Sequence, residues 1–128
     1  MKYLLDTDVL INHLRKKKAL SEVFFQKGCG ISVVTKGELL YGAYKSSQPR
    51  KNLRIVESLL EELPLEILPL EDRVLHLFGE LKAKLEKKGK RLSDFDLLIA
   101  ATALSRNLIL VTGNIRHYQR IPNLRVIS

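Results

Sequence analysis

The chain has 128 residues, 45% of them hydrophobic, which is enough for one ordinary domain with a real core and excludes a disordered chain. Lysine and arginine number 22 against 14 acidic residues, and the net charge of +8 favours a polyanionic partner such as RNA, DNA or an acidic protein. With Cys29 as the only cysteine, no internal disulfide is possible.

Tyr3-Leu4-Leu5 is a short apolar run ending in Asp6 and reads as a buried strand. From Thr7 to about Lys17, Val9, Leu10, His13 and Leu14 fall on helical spacing. Leu20 to Phe25 suggests a further short helix, broken by Gly28-Cys29-Gly30, where Cys29 reads as a small residue at a tight turn. Ile31 to Val34 is β-branched and reads as a second strand, with Thr35 opening a helix to about Tyr44. Ser46-Ser47-Gln48-Pro49 is a turn, and Pro49 suits the first position of a helix carrying Leu53, Val56, Leu59, Leu60 and Leu63 up to Pro64. Leu65 to Leu68 is a third strand candidate. Glu71 to about Lys88 is an amphipathic helix stopped by Gly89. Ser93 opens a helix through Leu104, and Leu108 to Val111 and Leu124 to Ile127 read as strands. Alternating strands and helices predict an α/β domain with a central, largely parallel sheet, the whole of 1–128 forming one unit.

Asp6 ends the first strand, Glu38 lies one turn into the helix after the second, and Asp96 lies in the first turn of the helix before Leu108. Functional residues of open α/β sheets gather beyond the carboxyl ends of the strands, so these three acids can converge. Clustered carboxylates repel unless a cation joins them, and an all-oxygen set suits Mg²⁺ or Mn²⁺ rather than zinc. Each acid also has a structural explanation. Thr35-x-x-Glu38 has the capping-box pattern, Ser93-x-x-Asp96 is a variant of it, and Asp6 suits the start of the first helix.

Four segments raise the metal reading above the capping one. They are Leu4-Leu5-Asp6-Thr7-Asp8-Val9-Leu10-Ile11; Ile31 to Gly42, containing Thr35-Lys36-Gly37-Glu38; Asp96 to Ala103; and Leu110-Val111-Thr112-Gly113-Asn114 followed by Tyr118-Gln119-Arg120-Ile121-Pro122-Asn123-Leu124. Together they resemble the PIN-domain family, and within it the VapC-type toxin ribonucleases, in order and over nearly the whole length. The resemblance implies a three-layer α/β/α fold and a Mg²⁺- or Mn²⁺-dependent endoribonuclease with Asp6, Glu38 and Asp96 as catalytic and metal-binding acids. It implies Thr7 and Thr112 as supporting hydroxyls. The family's fourth polar position falls on Asn114, an amide without charge, which implies one firmly held metal and at most a loosely held second. It also implies the toxin half of a toxin–antitoxin pair, a VapB-type antitoxin partner and a homodimer.

Asp94 competes with Asp96, but two residues apart on a helix they face differently. Asp96 shares its face with Ile99, Ala100 and Ala103, so Asp94 goes to the cap or rim, and Asp8 to the rim or a local hydrogen bond. Arg116 and His117, just after Asn114, are better placed for substrate than the runs Arg15 to Lys18 and Lys87 to Arg91, which read mainly as solvated helix ends. His13 and His76 read as surface or packing residues, and the leucine-rich helices as mainly core. Asp6 and Asp8 interrupt what would be the apolar stretch of an export signal, and the uncharged run Leu97 to Ser105 is far short of the ~20 residues a membrane helix needs. The expected setting is the cytoplasm. Two rivals stand beside this reading. Asp6-Thr7-Asp8-Val9-Leu10 fits the opening motif of haloacid-dehalogenase-like phosphatases, which need a later strand ending in paired acids; Leu108 to Val111 ends instead in Thr112-Gly113-Asn114. A non-catalytic binding module of the same fold is the other.

Overall fold

In the computed structural model, which describes residues 1–128, five short strands form one sheet. They are β1 (Tyr3–Leu5), β2 (Cys29–Ser32), β3 (Glu66–Leu68), β4 (Ile109–Val111) and β5 (Val126–Ile127). The order is β3-β2-β1-β4-β5, and every pairing is parallel. The helices are α1 (Thr7–Leu14), α2 (Glu22–Lys27), α3 (Val33–Tyr44), α4 (Pro49–Glu62), α5 (Asp72–Lys87), α6 (Asp94–Ser105) and α7 (Ile115–Tyr118).

Parallel strands between helical layers are apolar on both faces, which is why β1 and β4 read as unbroken hydrophobic runs. Their side chains alternate between two cores. Leu4 and Leu110 point to one with Leu81, Leu85, Leu97, Ile99 and Ala100, from α5 and α6. Tyr3, Leu5 and Val111 point to the other with Leu10, Phe24, Leu39 and Val56, from α1 to α4. The result is the expected α/β/α sandwich. α6 is buried on most of its surface, and its alanines 100, 101 and 103 allow close approach to the sheet and to α5.

The chain leaves β1 toward β2 and β3 on one side, then returns to β4 and β5 on the other. The order therefore reverses between β1 and β4, and a crevice opens beyond the carboxyl ends of these strands. Leu5 pairs with Val111 in register, so the next residues, Asp6 and Thr112, emerge side by side.

Three local expectations are corrected. Gly28-Cys29-Gly30 is not a turn. Gly28, at φ +89°, closes α2, and Cys29 and Gly30 are already β2, buried against β1 and β3. The strand ends at Ser32, not Val34, because Ser32 Oγ accepts a hydrogen bond from Val34 N at 3.0 Å and so starts α3. The Thr35–Glu38 capping box therefore does not form; both residues already lie within α3, and Glu38 is free of that structural duty. α7 was not anticipated, since four residues give no readable periodicity.

A Cβ on Gly30 would stand 2.8 Å from the Glu66 carbonyl oxygen on β3, a backbone atom that moves only with the sheet. Gly30→Ala is expected to cost about 1–3 kcal/mol of stability, as overpacking does, measured by urea unfolding. An unchanged midpoint would show that β2 and β3 do not approach this closely.

Candidate active site

Asp6 caps α1 and faces the crevice at once. Its Oδ1 accepts from Thr7 N at 2.8 Å, and its Oδ2 accepts from Thr112 Oγ1, also at 2.8 Å. The structural and the functional reading of this residue are therefore compatible. Only 6% of Asp6 is exposed. Burial pushes its carboxyl up to about 6; the hydrogen bond from Thr112 pulls the other way, the charge of Asp8 adds to the rise, the Thr7 amide opposes it, and Asp96 adds to it again. Thr112 Oγ1 in turn accepts from Asn114 N at 3.0 Å, so the turn after β4 holds the hydroxyl that holds Asp6.

Glu38 reaches the site through Thr7. Thr7 Oγ1 donates to Glu38 Oε1 at 2.7 Å and lies 3.0 Å from Thr35 Oγ1. A hydroxyl has one proton to give, so Thr35 donates to Thr7 while Thr7 serves the carboxylate. Thr35 is fully buried in the first turn of α3.

Asp96 lies in the first turn of α6, where its backbone N–H donates to the capping Ser93 Oγ at 3.2 Å. Its carboxylate turns the other way, toward α7. Tyr118 OH donates to Oδ1 at 3.1 Å, and His117 Nε2 lies 2.8 Å from Oδ2. Tyr118 is 1% exposed, and burial first, then the charges of Asp6 and Asp96, holds its proton far above the ordinary phenol range. One hydroxyl therefore feels both acids.

The expected residues are thus joined unequally. Asp6, Thr112 and Asp96 share one neighbourhood, with Thr7 linking Asp6 to Glu38. No three Asp, Glu, His or Cys side chains are assembled, as oriented here, into a set that could hold a metal ion. Asn114 is exposed and contributes its backbone N–H, while its side chain makes no hydrogen bond. Arg116 is exposed and joined to none of the acids. His117, read from the sequence as a substrate contact, is engaged with Asp96 instead. Asp94 lies at the rim as expected, paired with Lys82 at 2.9 Å. Asp8 makes no local hydrogen bond: its Oδ2 accepts from Gly113 N at 2.9 Å, tying α1 to the turn after β4, and its Oδ1 is buried without a partner.

Tyr118 and Thr35 were missed as site residues. Tyr118 stood in the fourth segment of the resemblance but was given no role in the site. Thr35 was assigned to a cap because the capping-box pattern names it.

A family model for the PIN domain matches residues 3–123. The chain belongs to the PIN-domain family. Among relatives of this PIN-domain protein, ribonuclease VapC2 of Haemophilus influenzae is 37% identical, the match covering 98% of this chain and 96% of that protein. The tRNA(fMet)-specific endonuclease VapC of Shigella flexneri is 35% identical over the same shares. Among solved structures, DNA-bound VapBC from Salmonella typhimurium superposes with a TM-score of 0.90 at 35% identity, covering 99% of this chain and 97% of that one. VapBC2 from Rickettsia felis, bound to a DNA fragment from their promoter, gives 0.89 at 32%, covering 99% and 98%. Within the PIN domains, the chain's relatives are thus the VapC ribonucleases. The phosphatase alternative falls with this match, and Asp8, its required acid/base, is held by Gly113.

The raised Asp6 carboxyl makes a signed prediction. The folded state binds this proton more tightly than the unfolded chain does. Its contribution is therefore fully present below about pH 4 and is lost as pH rises through about 6. At one pKa unit per about 1.4 kcal/mol, the loss is at most about 3 kcal/mol. In EDTA, Asp6→Asn is expected to be more stable than the unsubstituted chain at pH 7.5 and no more stable at pH 4, by urea unfolding at both. An equal difference at the two pH values would contradict the buried, strained carboxylate.

Proposed function

We propose that this PIN-domain chain is a divalent-metal-dependent endoribonuclease, the toxin of a VapBC-type toxin–antitoxin pair, with residues 1–128 as one nuclease domain. The observation that carries the reading is the buried Asp6, held by Thr112 at the reversal point of the sheet, with Asp96 held by Tyr118 and His117 in the same neighbourhood. The chemistry of the donors supports a hard cation. Asp6 is a buried acid pushed up to about 6 by burial and by Asp8 and Asp96, so the charges around it are uncompensated within the chain. Asp8 adds a buried oxygen without a partner. Oxygen donors of this kind suit Mg²⁺ or Mn²⁺. Asp6 and Asp96 would hold the ion, with Glu38 completing the set or orienting water. When bound, the ion supplies an acidified water and charge neutralisation at the phosphodiester.

The chain's own residues then have distinct tasks. Thr112 and Thr7 fix the Asp6 and Glu38 carboxylates, so these need no reorganisation when RNA arrives. Tyr118, which keeps its proton, holds Asp96 Oδ1, and His117 holds Oδ2. Arg116, exposed beside them, is available to a phosphate of the strand. In the reaction, a water oxygen joins phosphorus in line with the departing ester oxygen, which leaves with a proton.

The partners follow from the relatives. The solved structures similar to this chain are VapBC complexes, which supports a VapB-type antitoxin as the protein partner. Tyr41 and Tyr44, 65% and 66% exposed on α3, and Ile55 on α4 supply apolar surface for that partner or for the expected homodimer. No helix is long and apolar enough to cross a membrane, and the cytoplasm is the proposed setting.

Purified protein with structured RNA and Mg²⁺ is expected to cleave. EDTA abolishes cleavage, and Asp6→Asn lowers the rate by more than roughly 100-fold, beyond the 10–100-fold typical of residues that support metal ligands. Equal cleavage in the three conditions would sink the metal-nuclease reading; binding of RNA without cleavage would favour the non-catalytic module. Tyr118→Phe removes one hydroxyl and little bulk. It should lower kcat roughly 10-fold and raise the Mg²⁺ needed for half-maximal rate, leaving KM for RNA unchanged. Identical kinetics and metal dependence would assign Tyr118 to packing alone.

A further inference from the structure

The connection between α1 and α2 and the turn after β4 line a half-open cavity of about 290 Å³. Its inner end is Thr112 and Gly113, the residues that bond Asp6 and Asp8. Val9, Ala19, Leu20, Phe24 and Val111 give it apolar walls, and Asn12, Lys18, Ser21 and Ser128 join Thr112 as polar groups on its lining.

The walls are fixed by the chain itself. The Asn12 carbonyl accepts from Lys17 N at 2.9 Å and Lys18 N at 3.4 Å, and Lys16, at φ +57°, turns the backbone between them and α1. His13 Nδ1 accepts from Leu20 N at 3.1 Å and holds the far side of the loop. The Asn12 side chain is half-buried on this lining, and its amide presents an NH2 donor group and a carbonyl acceptor to whatever enters.

We propose that this cavity is a nucleobase subsite, taking one base of the RNA strand next to the phosphate at Asp6 and Asp96, with Asn12 reading the base edge. The inference rests on the ribonuclease reading and names the part of the substrate that the site would discriminate. Three features select a base. The volume lies at the small end of ligand sites and suits one planar ring system. Apolar walls cover the faces of an unstacked base, and an amide complements the donor–acceptor pair on its edge. The strand that supplies the base carries phosphates, and the lining includes the exposed Lys18, at the end of the run Arg15-Lys16-Lys17-Lys18.

Binding without cleavage tests this apart from the nuclease activity. Fluorescence anisotropy in EDTA would measure the four short, labelled, single-stranded RNA homopolymers against the full chain. The expected result is that one homopolymer binds at least about fivefold tighter than the weakest, the lower end of what one paired amide contributes, and that Asn12→Ala reduces this preference to within about twofold while the weakest homopolymer binds as before. Asn12→Leu, which keeps the bulk without the amide, should lose the preference in the same way. Lys18→Ala should weaken all four alike and lower the salt dependence. Absence of a preference in the unsubstituted chain, its persistence in both Asn12 variants, or failure to bind any homopolymer would overturn the subsite. A chain that binds with a preference lost in the Asn12 variants, yet cleaves no RNA with Mg²⁺, would keep the subsite and remove the nuclease.

Discussion

The interaction on which the rest depends is the burial of one carboxylate where β1 meets α1. Asp6 must cap a helix, accept from Thr112 across the sheet and face Asp96, all while nearly excluded from water. Unpaired, a charge so placed destabilises the fold. Two short hydrogen bonds reduce that cost without removing it, and the remainder is what a divalent ion would relieve. Stability and the proposed function meet in a single side chain: the acid whose carboxyl burial pushes up to about 6 is the one proposed to receive a cation.

The surrounding layers serve that placement. Parallel pairing of β1 with β4 fixes Asp6 against Thr112 by register alone. α6, small and buried along much of its length, brings Asp96 to the same crevice at its first turn. α7 then covers Asp96 with Tyr118 and His117. Each acid has a hydrogen-bonding partner, threonine, tyrosine or histidine, that fixes its orientation. Orientation set in advance matters more to such a site than the number of carboxylates.

How much of this was legible depended on range. Strand identity was readable, because buried parallel strands are apolar and helices between them repeat at 3.6. Strand ends were less so: Val33 and Val34 have the β-branched look of a strand, and only the Ser32 hydroxyl, a three-residue effect, turns them into a helix. The glycines around Cys29 look like a turn, because nothing local announces that Glu66 will lie against Gly30. Asp6, Glu38 and Asp96 could be named as candidates, from their places near strand and helix ends and from the four segments that carry the family resemblance. Their support could not. Thr7 to Glu38, Thr112 to Asp6 and Tyr118 to Asp96 are contacts between distant segments, and residue type alone does not pair them.

The hydrogen bond from Thr112 to Asp6 spans 106 positions of the chain. The central strand of the sheet is thus the first to leave the ribosome, and it waits for almost the last before its second neighbour exists. Until β4 and α7 are made, Asp6 lacks Thr112 and Asp96 lacks Tyr118 and His117. Long-range pairing of this kind is slow to form, because loop closure precedes any gain from the contact. For a chain that would cut RNA, the order of synthesis itself becomes a safeguard: a nascent or truncated product carries the leading acid but not the scaffold that arms it.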